Sequence, residues 1–135
     1  MRKIYSKVEP DKLLCVLTKK KDISEKRLDL SPENEYLQVA AKSLRKGFAV
    51  EPHKHKKIIR ETHITQEAWI FLSGSVRATF YDLDDTKSLE VVLEAGDCVV
   101  MFYGGHGFDA LEDDTLFYEV KTGPYMGTEN DKESI

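Results

Sequence analysis

The sequence predicts an all-β protein of one domain, built from short strands that each bury one face. Its 135 residues fit one domain, since domains most often contain about 100–150 residues. Along the second half, short apolar runs alternate with turns rich in Gly and Asp, at intervals of roughly a dozen residues. Such spacing is typical of a β-sandwich or β-barrel. A hydrophobic share of 41% and a charged share of 33% exclude a disordered chain.

The first half of the chain predicts fewer regular elements. The run from Leu13 to Leu17 predicts a short strand. Residues 31–48 are open to two interpretations, because Ser31-Pro32 resembles a helix start and apolar residues recur at helical spacing up to Phe48. We favour a strand, because Gly47 ends the run and the chain continues into a β-rich region.

From residue 66 onward the strands are clearer. Residues 68–72 end at the Ser73-Gly74-Ser75 turn, and residues 76–80 then alternate apolar and polar side chains, which predicts two strands with a buried face. Further strands are predicted at residues 90–93, 98–103 and 116–122, separated by Gly- and Asp-rich turns. The chain after Pro124 is polar, and we expect it to be loose.

Charge is divided unevenly along the chain. Residues 1–60 contain 16 Lys and Arg against 8 Asp and Glu, whereas residues 61–135 contain 4 against 16. The basic half carries no nucleic-acid recognition motif, and the total charge of −4 disfavours binding to a phosphate polymer. We therefore expect no nucleic-acid partner.

The sequence also bears on compartment. No apolar run approaches the ~18 residues of a membrane helix, and no apolar region follows the charged start as in a secretory signal. Cys15 and Cys98 lie in apolar runs and are interpreted as buried reduced thiols. We expect a cytoplasmic protein without a membrane partner.

Three of the four histidines are candidate metal ligands. Pro52 disfavours a helix before it, so residues 50–57 are predicted to be extended, and His53 and His55 would then share one strand face. The neighbouring lysines disfavour protonation of these rings and leave their nitrogens free as ligands. The alternative is a solvated basic turn. His106 follows an apolar strand and lies among glycines, where a ligand can approach the backbone closely.

In two motifs the chain resembles the cupin superfamily, over about residues 36–121. The first motif, Gly, His-x-His, Glu and Gly, is matched by Gly47, His53, His55, Glu67 and Gly74. The gap between His55 and Glu67 is longer than is usual in the family. The second motif is matched in GDCVVMFYGGHGF by Gly96, Asp97, Gly104 and His106.

The resemblance implies a double-stranded β-helix, or jelly-roll barrel, over residues 36–122. Residues 1–35 would pack on the barrel or on a partner subunit, and residues 123–135 would form a polar tail. The implied ligands of one divalent transition metal ion are His53, His55, Glu67 and His106, with Glu61 or His63 as substitutes within the long gap. This ligand set suits Fe, Mn, Ni, Co or Zn without choosing among them. A homodimer is implied as well.

The expected ligand is a small, anionic molecule such as a sugar or sugar nucleotide, because the basic residues 54–60 border the proposed metal. Arg60, Trp69 and Lys121 are the candidate contacts. Lys121 and Glu119 share one strand face, which looks either into the barrel mouth or into solvent. The implied activity is that of an isomerase or epimerase; the alternatives are an Fe(II) dioxygenase and a non-catalytic carbohydrate-binding or small-ligand-binding protein.

Overall fold

The computed structural model describes residues 1–135, and ten strands account for most of its regular structure. The strands are β1 (Arg2–Tyr5), β2 (Leu13–Thr18), β3 (Leu28–Asp29), β4 (Ala40–Ala41), β5 (Glu67–Ser73), β6 (Ser75–Tyr81), β7 (Lys87–Glu94), β8 (Cys98–Met101), β9 (His106–Ala110) and β10 (Leu116–Lys121). A 3₁₀ turn spans Lys20–Asp22, and one helical turn, α1, spans Thr128–Asp131. Neither turn has the length or apolar character that crossing a bilayer requires.

The strands form two main antiparallel sheets, which confirms the all-β prediction. One sheet has the order β1-β2-β8-β5-β10, the other has the order β7-β6-β9, and β3 pairs separately with β4. Both main sheets end in open edges, so the predicted closed barrel is wrong for this structure. The physical reason is that residues 42–66, which would have to pair with β9 or β10, form no strand.

The inner faces of the two sheets pack against each other. Trp69 and Phe71 alternate along β5 and project to the same side, and Ala78 and Phe80 do so on β6, as the period of two along a strand requires. Together with residues of β1, β2, β7 and β8 they form a cluster of 11 buried side chains. This cluster joins the sheets and holds the inner face of β5 in place.

The predicted turn at Gly74 lets the chain pass from one sheet to the other. Gly74 has φ +68°, and a Cβ there would lie 2.4 Å from Oγ1 of Thr115. A larger residue would therefore meet both backbone strain and a clash. The turn confirms the sequence interpretation and lies beside the start of β10, where Leu116 pairs with Ser73.

A second buried cluster covers part of the outer face of the five-stranded sheet. Leu30 packs there with Val16, Val100 and Ala68, and Leu37 and Val39 lie against them. The N-terminal residues thus contribute β1 and β2 to the sheet and a cover over β2 and β8. Of the strand favoured for residues 31–48, only β4 forms, because Leu44 and Phe48 remain exposed and find no sheet to join.

Residues 42–63, called the exposed segment below, differ from the rest of the chain. All 22 of these residues are exposed, and none lies in a helix or strand. Residues 50–57, predicted to be extended, form no strand, so the strand face that His53 and His55 were expected to share is not present. An isolated extended chain has no partner for its backbone hydrogen bonds, and local alternation cannot supply one.

Candidate functional site

Three ionisable side chains from different strands meet at one end of the packed sheets. Glu67 begins β5, and Lys121 ends β10 directly opposite it. His106 begins β9 in the other sheet and pairs with Phe80. The Glu67 Oε2 lies 3.7 Å from Nε2 of His106 and 3.4 Å from Nζ of Lys121. The two sheets thus bring an imidazole and an ammonium group to one carboxylate.

Glu67 is the centre of this cluster and is only 4% exposed. Its Oε1 accepts a hydrogen bond of 2.5 Å from the indole Nε1 of Trp69. Burial opposes ionisation of the carboxyl, but the hydrogen bonds and the charge of His106 outweigh it and lower the pKa of Glu67 to about 2. The carboxylate is therefore ionised across the neutral range, as a partner for positive charge.

Lys121 and Glu119 lie on the same face of β10 as Phe117, which packs against Trp69; the Lys121 side chain is half-buried, whereas the Glu119 side chain lines the cavity and remains 43% exposed. Lys121 Nζ lies 3.0 Å from Oε1 of Glu119. Burial lowers the pKa of Lys121, but the hydrogen bond with Glu119 and the charges of both carboxylates outweigh it and raise the pKa above its ordinary value. The ammonium is thereby shared between two carboxylates.

A cavity of about 660 Å³ opens beside these side chains. Trp69 and Phe108 form aromatic walls, with their ring centroids 5.2 Å apart, and residues 131–135 line the mouth. The only lysine or arginine in the lining is Lys132. The acidic side chains of the lining are Glu67, Asp82, Asp85, Glu119, Asp131 and Glu133. The cavity is therefore rich in negative charge.

The remaining predicted site residues lie on the exposed segment, and none of them lines this cavity. The rings of His53 and His55 have centroids 5.6 Å apart, and neither residue lies on a strand. His63 Nδ1 lies 2.8 Å from the hydroxyl of Tyr36. Arg60 and Glu61 are exposed, and neither forms a salt bridge or a side-chain hydrogen bond. The basic stretch 54–60 therefore does not border the cavity.

The four residues implied as metal ligands do not fit a metal ion in this arrangement. No group of three or more His, Cys, Asp or Glu side chains converges as a metal site. Only Glu67 and His106 meet, and the Lys121 ammonium lies against the same Glu67 oxygen that faces the imidazole. The substitutes Glu61 and His63 are also held away from this pair. The donors are divided because the exposed segment pairs with neither β9 nor β10.

Comparison with known proteins suggests no candidate function for this cavity. No family model, no curated protein and no solved structure matches the chain. What bears on function is thus the arrangement of this chain's own residues.

Sequence reasoning missed part of the cavity. Phe108 follows His106 by two residues, which is the spacing of one strand face, so the alternation of β9 could have revealed it. Asp82, Asp85 and residues 131–135 carry no such signal. They reach the cavity through the β6–β7 turn and the course of the C-terminal residues, which only the tertiary structure shows.

Proposed function

We propose that the chain is a cupin-type jelly roll that binds a small, polar molecule in the cavity, and that the Glu67–His106 pair transfers a proton to or from it. The observation that carries the proposal is the 3.7 Å approach of His106 Nε2 to the buried Glu67 carboxylate at the cavity wall. The spacing of Glu67 and His106 along the sequence does not by itself predict that the two side chains meet.

Sheet order supports the jelly-roll part of the proposal. Strands β8-β5-β10 form one layer and β7-β6-β9 the other, and consecutive strands from β5 onward cross between the layers at several turns. Such alternation between two packed antiparallel sheets is the arrangement of a jelly roll. The resemblance in the two sequence motifs points to the same architecture.

The chemistry of the pair supports a proton-transfer role. A carboxylate next to an imidazole orients the ring and stabilises the imidazolium that forms when the ring accepts a proton. Glu67 is suited to this role because its lowered pKa keeps it ionised while His106 gains or loses a proton. Reversible proton transfer of this kind is what an isomerase or epimerase requires, which accords with the activity implied by the resemblance.

The cavity lining favours a neutral ligand with several hydroxyl groups. Carboxylates of the lining without a protein hydrogen-bond donor, such as those of Asp85 and Glu133, supply hydrogen-bond acceptors, whereas Asp82 is already bonded to Ser6, Lys7 and Leu83. Trp69 and Phe108 supply apolar surface for the carbon skeleton. Phosphate or carboxylate groups on a ligand would meet like charge here. We therefore propose a sugar or similar polyol rather than the anionic molecule that the basic stretch 54–60 suggested.

Binding and exchange measurements test this proposal. Calorimetric titration with a panel of neutral sugars, sugar phosphates and sugar nucleotides is expected to select a neutral member. NMR in deuterated water is then expected to show deuterium entering that ligand at one carbon. Selection of a phosphorylated ligand would refute the charge argument, and tight binding without exchange would refute proton transfer in favour of a non-catalytic binding protein.

A second candidate is the metal centre that the resemblance implies, on which Fe(II) dioxygenase chemistry would also depend. One observation favours it: Glu67 and His106, two of the four implied ligands, are brought together from different sheets. It requires the exposed segment to move so that His53 and His55 reach the cavity. Elemental analysis of untagged protein, with His53→Ala and His106→Ala variants, tests it: stoichiometric metal that both variants lose would establish the centre.

A further inference from the structure

Residues 123–135, called the strap below, reach the mouth of the cavity, and we propose that they form a gate that opens to admit a ligand and closes over it. Residues 131–135 of the strap line the cavity together with Trp69 and His106. This gate rests on the proposed function only in that the cavity binds a ligand. It holds whichever molecule binds there and whichever reaction follows.

The strap touches the rest of the chain at two points beside the cavity. Thr65 Oγ1 donates a hydrogen bond to Oδ1 of Asp131. Ile135 lies against Gly105, the neighbour of His106, so closely that a Cβ at Gly105 would clash with the end of the Ile135 side chain. The missing side chain of Gly105 thus provides the space that Ile135 occupies. One polar and one apolar contact therefore hold the strap closed.

The strap has few other bonds to the rest of the chain. It forms no backbone hydrogen bond with residues 1–122, and the Thr65–Asp131 bond is its only side-chain hydrogen bond to them. Ile135 is 58% exposed even in the closed position, and Tyr125 and Met126 are exposed as well. A segment with so few buried contacts opens at a small fraction of the free energy of global unfolding.

The start of the strap has the flexibility that such an opening needs. Its upstream anchor is Thr122, whose N donates a hydrogen bond of 3.0 Å to Gln66 O and whose Oγ1 accepts one of 3.0 Å from Gln66 N. Gly123 and Gly127 follow this anchor, and Gly127 has φ +93°, a conformation that other residues rarely adopt. Hinges are often built from such small residues next to rigid elements. The strap can therefore pivot beyond Thr122 without disturbing β10.

Charge supplies the reason for a ligand to close the gate. The strap adds the Glu133 carboxylate to a lining that already contains Asp85, and neither side chain accepts a hydrogen bond from a protein donor. Without a ligand, like charges on the strap and on the cavity wall disfavour the closed state. A ligand with several hydroxyl groups donates to both carboxylates only when the strap is closed. It therefore binds the closed state more tightly and shifts the equilibrium towards it.

Acrylamide quenching of tryptophan fluorescence tests the gate without any ligand. Trp69 is the only tryptophan of the chain, lines the cavity and is 1% exposed. Gly105→Ala is expected to displace Ile135 and to raise the quenching constant about threefold, because an open strap lets the quencher reach the ring. The matched control is Gly107→Ala, on the other side of His106, where a Cβ would meet nothing within 4 Å.

Further variants keep the test independent of a defect in the fold. Gly105→Ala/Ile135→Ala is expected to return quenching towards the native value, because the new methyl group fits where Cδ1 of Ile135 was. Asp131→Ala removes the hydrogen bond with Thr65 and should raise quenching about twofold. Glu129→Ala lies in the same helical turn but removes no bond to the rest of the chain, so it should leave quenching unchanged.

A reversible tether tests whether the strap of the native chain opens. Thr65→Cys/Asp131→Cys allows a disulfide between the strap and the start of β5, because these two side chains already touch. Cys15 and Cys98 are buried and do not compete for the new thiols. Oxidation is expected to lower quenching below the native value, and reduction is expected to raise it above that value.

Three outcomes separate the gate from its alternatives. Quenching that none of these variants alters would overturn the gate, whatever the cavity binds. Equal quenching in the oxidised, tethered variant and in the native chain would overturn it in favour of a fixed wall. A chain that follows the expected pattern but binds no sugar would support the gate and refute the function proposed above.

Discussion

The charged cluster at the cavity and the exposed segment contain the same residue types, yet only one of them has a defined geometry. His106 is held at the start of β9 by pairing with β6, and its ring meets a buried carboxylate. His53 and His55 lie in a stretch with no strand partner, where His53 Nδ1 lies 2.9 Å from the backbone oxygen of Glu51 and the two rings lie edge to face. Pairing of β9 with β6 fixes the position of the His106 ring next to Glu67. The spacing of His53 and His55 along the chain does not fix their position relative to any other part of the molecule.

Replacing a carboxylate in each region should give the largest contrast. We expect Glu67→Ala to lower the free energy of unfolding by about 3 kcal/mol, because it leaves Lys121 and the Trp69 indole without their shared partner. The matched variant Glu61→Ala, on the exposed segment, should change it by less than about 0.5 kcal/mol. Urea unfolding followed by tryptophan fluorescence measures both. Equal effects would show that the cluster is not a buried, coupled unit.

Replacing one histidine in each region should also affect proton transfer to the ligand to different extents. We expect His106→Gln to slow deuterium exchange into the bound ligand about 100-fold, since general acid–base groups contribute about 10²–10⁴-fold. His63→Gln should leave the rate unchanged, because His63 lies outside the cavity. The affinity of the His106→Gln variant for the ligand is measured as well. An unchanged affinity with slower exchange shows that the variant has lost a proton-transfer group, whereas a weaker affinity shows that ligand binding itself is impaired. Unaltered exchange in His106→Gln would remove the residue from the chemistry.

Protonation of Glu67 at low pH should lower the free energy of unfolding. Its pKa is lower in the folded chain, about 2, than its ordinary value of 4.5, so the stabilisation is fully present above about pH 4.5 and is lost as pH falls towards 2. After allowance for solvent screening, the loss should be about 2 kcal/mol. Urea unfolding between pH 6 and pH 2.5 should show a steeper decline for the native chain than for Glu67→Gln. Parallel curves would contradict the lowered pKa.

The smallest effect is expected from the paired histidines of the exposed segment. His53→Ala/His55→Ala should alter the free energy of unfolding by less than about 0.5 kcal/mol, as is usual for exposed side chains whose contacts are local. Added Zn²⁺, Ni²⁺ or Mn²⁺ should stabilise the native chain and this variant equally in thermal unfolding. A metal-dependent rise in Tm that only the native chain shows would mean that the segment reaches Glu67 and His106.

Alternation and turn chemistry made much of the fold predictable. From residue 66 onward, β5, β6, β8 and β10 lie close to their predicted positions, because each is an apolar or alternating run that ends near a Gly or Asp turn. The two cysteines are buried and free, as their apolar surroundings indicated, and burial raises the pKa of both thiols to about 12. Before residue 66 the interpretation was weaker, since extended stretches without a partner carry the same local pattern as strands.

The sequence by itself determined the all-β class, the buried faces of the later strands and the presence of Glu67, His106 and Lys121 at strand ends. Only the tertiary structure decided that these three side chains meet, that the cavity is acidic, and that His53 and His55 stand apart from it. The physical reason is that strand faces follow from local alternation, whereas contacts between sheets depend on which strands pair across the whole chain. Pairing joins Lys121 to Glu67 and leaves the exposed segment without a strand.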